Sequence, residues 1–201
     1  MRRYKLLCIA FLVVTSAGLV FAKDSAEKQV DSYENSSVLV EAFMVQVSTE
    51  ALVEVGVNPI SQSPENISIL KIIACLDDAQ KAEILSGAKV NCRNNNESEI
   101  RNEDRIYIKI GTGDTFHFES YSSGRALTAS PRIQLDGRIQ LEASYSDTII
   151  TLNEDPAAPP AQASYDWSGV LTLKTGIPAI AGATQNDDTV TFLILTATIQ
   201  N

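Results

Sequence analysis

The sequence predicts an α+β chain that is mainly β, and two stretches carry that prediction. Arg125–Ser146, reading RALTASPRIQLDGRIQLEASYS, alternates apolar and polar residues on both sides of Asp136-Gly137. Ala129, Ile133 and Leu135 share one parity before the pair, and Ile139, Leu141 and Ala143 share one after it. Period two marks strands with one buried face. Asp136 and Gly137 both tolerate the positive φ of a tight turn, so they are read as a structural hairpin turn. Pro131 has no N–H to give a ladder and belongs at an edge or a bulge, where it kinks the first strand. The second stretch is Val38–Ser48, VLVEAFMVQVS, apolar on both parities except at Glu41. That pattern predicts a strand buried on both faces, as at the centre of a sheet.

The chain has 201 residues, 44% of them hydrophobic and 20% charged, enough for one domain or a small pair. Its formal charge is -9. Such a surface repels phosphate backbones and anionic lipid, which excludes nucleic acid as a partner class. Met1–Ala22 places Arg2, Arg3 and Lys5 before an apolar run and ends on Val20-Phe21-Ala22. This is the order of a secretory signal, with a run shorter than the ~20 residues of a membrane span. Cys8 lies early in that run, which is the wrong place for a lipid anchor. Residues 23–37 are polar and mixed in charge and read as a disordered leader. Residues 38–201 form the folded domain.

Taken in order, Ser48 is placed to cap a short helix over Thr49–Val55, with Gly56 as its stop. Asn58–Glu65 is a loop with two prolines. Ile67–Asp78 sets Ile69, Leu70, Ile73 and Leu76 at helical spacing, predicting a helix that covers a sheet. Ala82–Cys92 returns to extended patterning, and Asn94-Asn95-Asn96 is a turn. Arg105–Ile110 and Thr115–Tyr121 form a strand pair about Gly111–Asp114. Asn153–Ala163, NEDPAAPPAQA, is a connector. Trp167–Thr175 and Thr189–Ile199 are closing strands, with Phe192–Leu195 at the core centre. Cys75, on the covering helix, and Cys92, far along the following strand, are expected to remain unpaired, because a bridge needs Cα atoms within about 7 Å.

No catalytic constellation accompanies these elements. His117 is the single histidine and sits between two phenylalanines in a strand, without a nucleophile or orienting group in its pattern. The mature cysteines and this histidine lack zinc spacing. The glycines of Gly111–Asp114 lack the following helix and lysine of a phosphate loop. Asp77-Asp78, Glu154-Asp155 and Asp187-Asp188 lack calcium-loop spacing and read as solvated element ends. Glu41 reads as a surface carboxylate. Neither an enzyme nor a cofactor or metal site is expected.

The ordered set of motifs resembles the C-terminal domain of the secretins, the outer-membrane ring proteins of type II and type III secretion and of type IV pilus machines. The matching residues are Val40-Glu41-Ala42, the Val55-Gly56 helix end, Leu70-Lys71, and Lys81-Ala82-x-Ile84-Leu85-Ser86. They continue with the asparagine turn, Pro131-Arg132-Ile133, Asp136-Gly137, Glu142-x-Ser144, and Lys174–Gly182. The resemblance implies two packed β-sheet layers of long antiparallel hairpins with one or two covering helices. It also implies self-association into rings, partners among secretion or pilus machinery, and a place in the periplasm or outer membrane as an export pore or part of one. In the family, the segment after the glycine matched by Gly111 folds inward as the gate. This puts Gly111, Gly113, Phe116, His117, Phe118 and Gly124 in or beside a gate-equivalent segment. Several features depart from the pattern. No proline stands near Gly87, no periplasmic ring domain precedes Val38, and the segment between the last two strands shrinks to Ala183–Asp188. The alternative these departures leave open is a soluble periplasmic binding or assembly module that kept the fold and not the pore.

Overall fold

The computed structural model describes Tyr33 and residues 35–58, 67–78, 80–112, 115–153 and 158–200. The signal segment, most of the leader, the centre of the first loop, and Gly113 with Asp114 lie outside the described residues. The elements in chain order are β1 (Ser37–Ser48), α1 (Thr49–Glu54), α2 (Ile69–Cys75), β2 (Ala82–Arg93), β3 (Ser98–Thr112) and β4 (Thr115–Ile133). They are followed by β5 (Arg138–Thr151), β6 (Ala161–Lys174), β7 (Ala179–Asn186) and β8 (Thr189–Gln200). They build two antiparallel four-stranded sheets, ordered β2-β1-β8-β7 and β3-β4-β5-β6.

β1 is the central plank, paired on one side with β2 and on the other with β8. Val38, Val40, Ala42 and Met44 face the second sheet. There they meet Leu127 and Ala129 of β4 and Ile139, Leu141 and Ala143 of β5, with Leu195 of neighbouring β8 on the same face of the first sheet. Val45 and Val47 point the other way, into a second cluster with Ala51, Leu52, Val57, Ile72, Cys75 and Phe192. The first sheet is thus covered on one face by the second sheet and on part of the other by two short helices. Ser48 caps α1, its hydroxyl accepting from the Ala51 N–H at 3.2 Å.

Several sequence expectations shift. The buried face of α2 is Ile72 and Cys75, while Leu70 is 77% exposed. At seven residues the helix has too few turns for apolar spacing to define its face, and Ile67 just before it is buried in the same cluster as Ile72 and Cys75. The stretch read as two strands around Gly124 is one 19-residue strand. β6 begins at Ala161, inside the expected connector, because it continues the ladder with β5 as far as Thr151↔Ala161. β7 takes up most of the Ala183–Asp188 segment and leaves only Asp187-Asp188 as the turn to β8.

In the β4–β5 hairpin, the Gly137 N–H donates to the Gln134 carbonyl at 3.0 Å, so Leu135 and Asp136 are the central turn residues. Gly137 follows with φ +78°, and Asp136 is not among the residues of positive φ. This is the hairpin in which an ordinary turn is followed by a left-handed glycine, rather than a two-residue turn with both residues at positive φ. Leu135 accordingly leaves the buried parity and is 54% exposed. Asp136 contributes its side chain instead, accepting from the Arg138 N–H at 3.1 Å. Pro131 lies beyond the end of β3, whose pairing with β4 stops at Ser98↔Ala129. Its carbonyl accepts from the Asn95 N–H in the β2–β3 turn at 2.8 Å. A strand residue's N–H points to the same side as its carbonyl, so the missing donor takes nothing from the β4–β5 ladder, which runs past Pro131 without a register shift.

Two glycines are constrained differently. A Cβ at Gly137 would meet only the Tyr33 hydroxyl at 4.0 Å, whereas one at Gly124 would lie 2.2 Å from the Asn102 carbonyl oxygen. Gly137→Ala is expected to lose about 1–2 kcal/mol through the left-handed backbone alone, and Gly124→Ala to lose more by forcing β3 and β4 apart. Urea midpoints of both variants check this, and equal losses would contradict it.

Candidate functional site

The surface with functional potential begins where the two sheets stop covering each other. β4 pairs with β5 only from Gly124 onward, its partner there being Thr148. Beyond that point β3 and β4 continue alone as a two-stranded arm, residues 104–112 against 115–123. The close approach at Gly124 sits at the root of this arm. On one face, Tyr121 donates to Glu119 Oε2 at 2.7 Å and His117 Nε2 lies 2.9 Å from Glu119 Oε1. The Tyr121 hydroxyl and then His117 hold the Glu119 carboxyl below its usual range, and Glu119 in turn raises the Tyr121 phenol. On the other face, Phe116 and Phe118 stack edge to face at 5.8 Å, and Lys109 sits 3.9 Å above the Phe116 ring. Tyr107 and Phe118 are 67% and 64% exposed.

The structure therefore gathers Gly111, Phe116, His117, Phe118 and Gly124 on one projecting hairpin, with Gly111 paired to Phe116 and His117 to Ile110. Gly113 lies outside the described residues. Asp136, Gly137 and Pro131 are at the opposite end of β4 and take no part in the arm. Glu41 pairs with Lys89 at 2.5 Å across the β1–β2 ladder, and the ammonium also lies over Phe43.

A buried polar cluster at the base of the arm has no counterpart among the sequence motifs. Tyr145 crosses the interior from β5 and its hydroxyl lies 2.7 Å from Ser86 Oγ on β2, tying one sheet to the other. It also faces buried Asp147 at 3.5 Å. Arg125, the cross-strand partner of Asp147, donates to the Gly87 carbonyl at 3.3 Å. The alternation of β5 places Tyr145 and Asp147 inward with Ala143. That parity is the only signal in the sequence, and it reads equally as a ladder that has reached solvent. Beside the cluster, between the edges of β6 and β7, lies a cleft of about 550 Å³ whose walls include Met44, Tyr145, Tyr165, Trp167, Gly182 and Leu193.

Cys75 and Cys92 are both free and buried. They lie in different clusters, Cys75 under the helices and Cys92 between the sheets, and burial raises both thiols. Among the described residues no group of three His, Cys, Asp or Glu side chains could hold a metal ion.

No family model matches the chain, and no curated protein matches it. Solved structures do. The secretin InvG of the Salmonella SPI-1 type III secretion injectisome superposes with a TM-score of 0.52 at 12% identity, over 83% of this chain and 65% of that one. The fold is secretin-like. The type II secretin GspD of enteropathogenic Escherichia coli gives a TM-score of 0.51 at 11% identity, over 92% of this chain and 74% of that one. The chain thus spans about two thirds of the length of the injectisome secretin. The two sheet layers and the covering helices expected from the resemblance are those of the structure.

Burial is the main cause raising the Tyr145 phenol, so the folded state favours its neutral form. The sign follows from linkage. A group whose folded pKa is raised keeps its stabilising contribution below its ordinary value and loses it as pH rises through the folded one. Stability is expected to begin falling at about pH 8.5, where unfolded thiols titrate while the buried Cys75 and Cys92 resist it, and to fall further above about pH 10, where an unperturbed tyrosine titrates. Tyr145→Phe should lose about 1–2 kcal/mol at pH 7 through the orphaned Ser86 and show a shallower alkaline decline. Urea midpoints across this range check both, and an identical pH slope in the variant would contradict the assignment.

Proposed function

We propose that this chain is a secretin-like component of a type II or type III secretion system or a pilus system, forming or helping to form an oligomeric outer-membrane pore for protein export. One observation carries the reading. The two sheets end in free edges on the same two sides of the molecule, β2 over β3 and β4 on one side and β7 over β6 on the other. All pairings are antiparallel and each sheet has four strands, so its two edges run in opposite directions. Copies related by rotation about an axis then meet β6 to β3 and β7 to β2, antiparallel in both layers, and a ring closes without leaving an edge. The self-association, secretion machinery and outer-membrane site that the resemblance implies belong to this proposal.

The arm takes the gate-equivalent role within it, since 104–123 is the part of the second sheet that the first does not cover. Its strands reach roughly the lower end of the ~9–11 residues a tilted spanning strand needs. Outside the arm, the outward face of the second sheet carries Thr128, Ser130, Glu142, Ser144 and Ser168, with Val170 as an exposed apolar side chain among them. No described helix is long and apolar enough to cross a membrane. This polar face supports the second reading, a periplasmic module that associates with the machinery without lining a pore.

Insertion is accordingly coupled to assembly. Leakage of liposomes should show a threshold in protein concentration that coincides with the appearance of large species by size analysis. Leakage rising linearly from the lowest concentrations, with no such species, would overturn the pore reading. Assembly without leakage would favour the periplasmic module.

A further inference from the structure

We infer that the cleft between β6 and β7 is the receiving half of a contact between two copies of this chain, filled by the inward-facing edge of β3 around Ile100. The inference rests on the ring reading and adds to it a contact inside the sandwich, between the layers, beyond the backbone pairing of the edges. Its basis is a row of side chains. Ile100 pairs with Leu127, Leu127 with Tyr145, and Tyr145 with Trp167, so the four share the inner face of the second sheet from one edge to the other. The middle two are buried, whereas Ile100 is 44% exposed at its edge and Trp167 half-buried at the other. A row that is apolar or aromatic throughout and uncovered only at its two ends is completed by joining end to end.

The facing row in the first sheet behaves in the same way. Ser86, Met44, Leu193 and Gly182 run across it in register. Its two ends are small, and the Trp167 ring packs closely on Gly182, where an added Cβ would come within 3.1 Å of it at the wall of the cleft. Large ends in one layer thus lie against small ends in the other, which is how facing layers interdigitate. Charge agrees. β2 and β3 together carry five cationic and four anionic side chains, while β6, β7 and the Asp187-Asp188 turn carry three acidic and one basic. Asp166 is the only charged residue lining the cleft among the described residues. A small ligand could fill the volume but would leave both rows of edge backbone groups unpaired. A second copy supplies a strand to each.

Trp167 is the chain's single tryptophan, so its fluorescence reports on this cleft alone. Acrylamide quenching of the full chain, followed through the concentration range in which large species form, is expected to weaken about threefold or more on assembly. Ile100→Glu should raise the concentration for half-assembly about tenfold or more, as for a buried anchor in an interface, while Leu135→Glu, in the exposed hairpin turn, should leave it unchanged. The quenching readout uses the unmodified chain and does not depend on how a variant folds. Assembly with Trp167 as quenchable as in the monomer, or with Ile100→Glu assembling normally, overturns the cleft contact and leaves the ring reading standing. A chain that stays monomeric throughout overturns the ring reading and the contact with it.

Discussion

Everything in this molecule hangs on β1 being buried from both sides. Its inner residues, Val38 to Met44, form one wall of the core between the sheets, and Val45 and Val47 form the floor on which the helices rest. A strand in that position cannot slip by one residue without exchanging two apolar faces that fit different partners. It also lies between β2, which follows it in sequence, and β8, which closes the domain, so both ends of the fold are held by one ladder system. Hydrophobic burial along this strand orders the first sheet. The second sheet, built from local hairpins, docks against it.

The local character of the second sheet makes much of it legible in the sequence. β4 and β5 show in their alternation, and their register follows from a four-residue turn. β1 shows because a short run that is apolar on both parities fits a strand covered on both faces. Three elements resist such reading. α2 is too short for its spacing to choose between Leu70 and Ile72 as the buried position. β6 carries its first residues in an alanine- and proline-rich run whose composition suggests a linker, and only the ladder with β5 makes it a strand. Gly124 reads as a break because glycine usually is one. Here it permits close backbone contact inside a continuous strand.

The candidate site is legible in part. The arm's aromatics and His117 belong to one segment of the sequence, and a strand pair about Gly111 brings them together by simple register. The Ser86–Tyr145–Asp147 cluster is not legible, because it joins strands from different sheets and no spacing in the chain encodes which residues face across a roughly 10 Å gap. The cleft at Trp167 is hidden for the same reason. A bulge at Ala181, which no pattern in the sequence marks, brings Gly182 into line with Leu193 at the wall of the cleft.

What unites these features is a sandwich finished along its length and unfinished at its two sides. Another copy of the chain finishes it in the assembly proposed above. Backbone hydrogen exchange, compared between dispersed and assembled protein, reads the edges themselves and so bears on this point without an intermediary. New protection is expected in β6 and β3 on assembly, with β1 slow in both states. Edges that exchange as fast after assembly as before would contradict it.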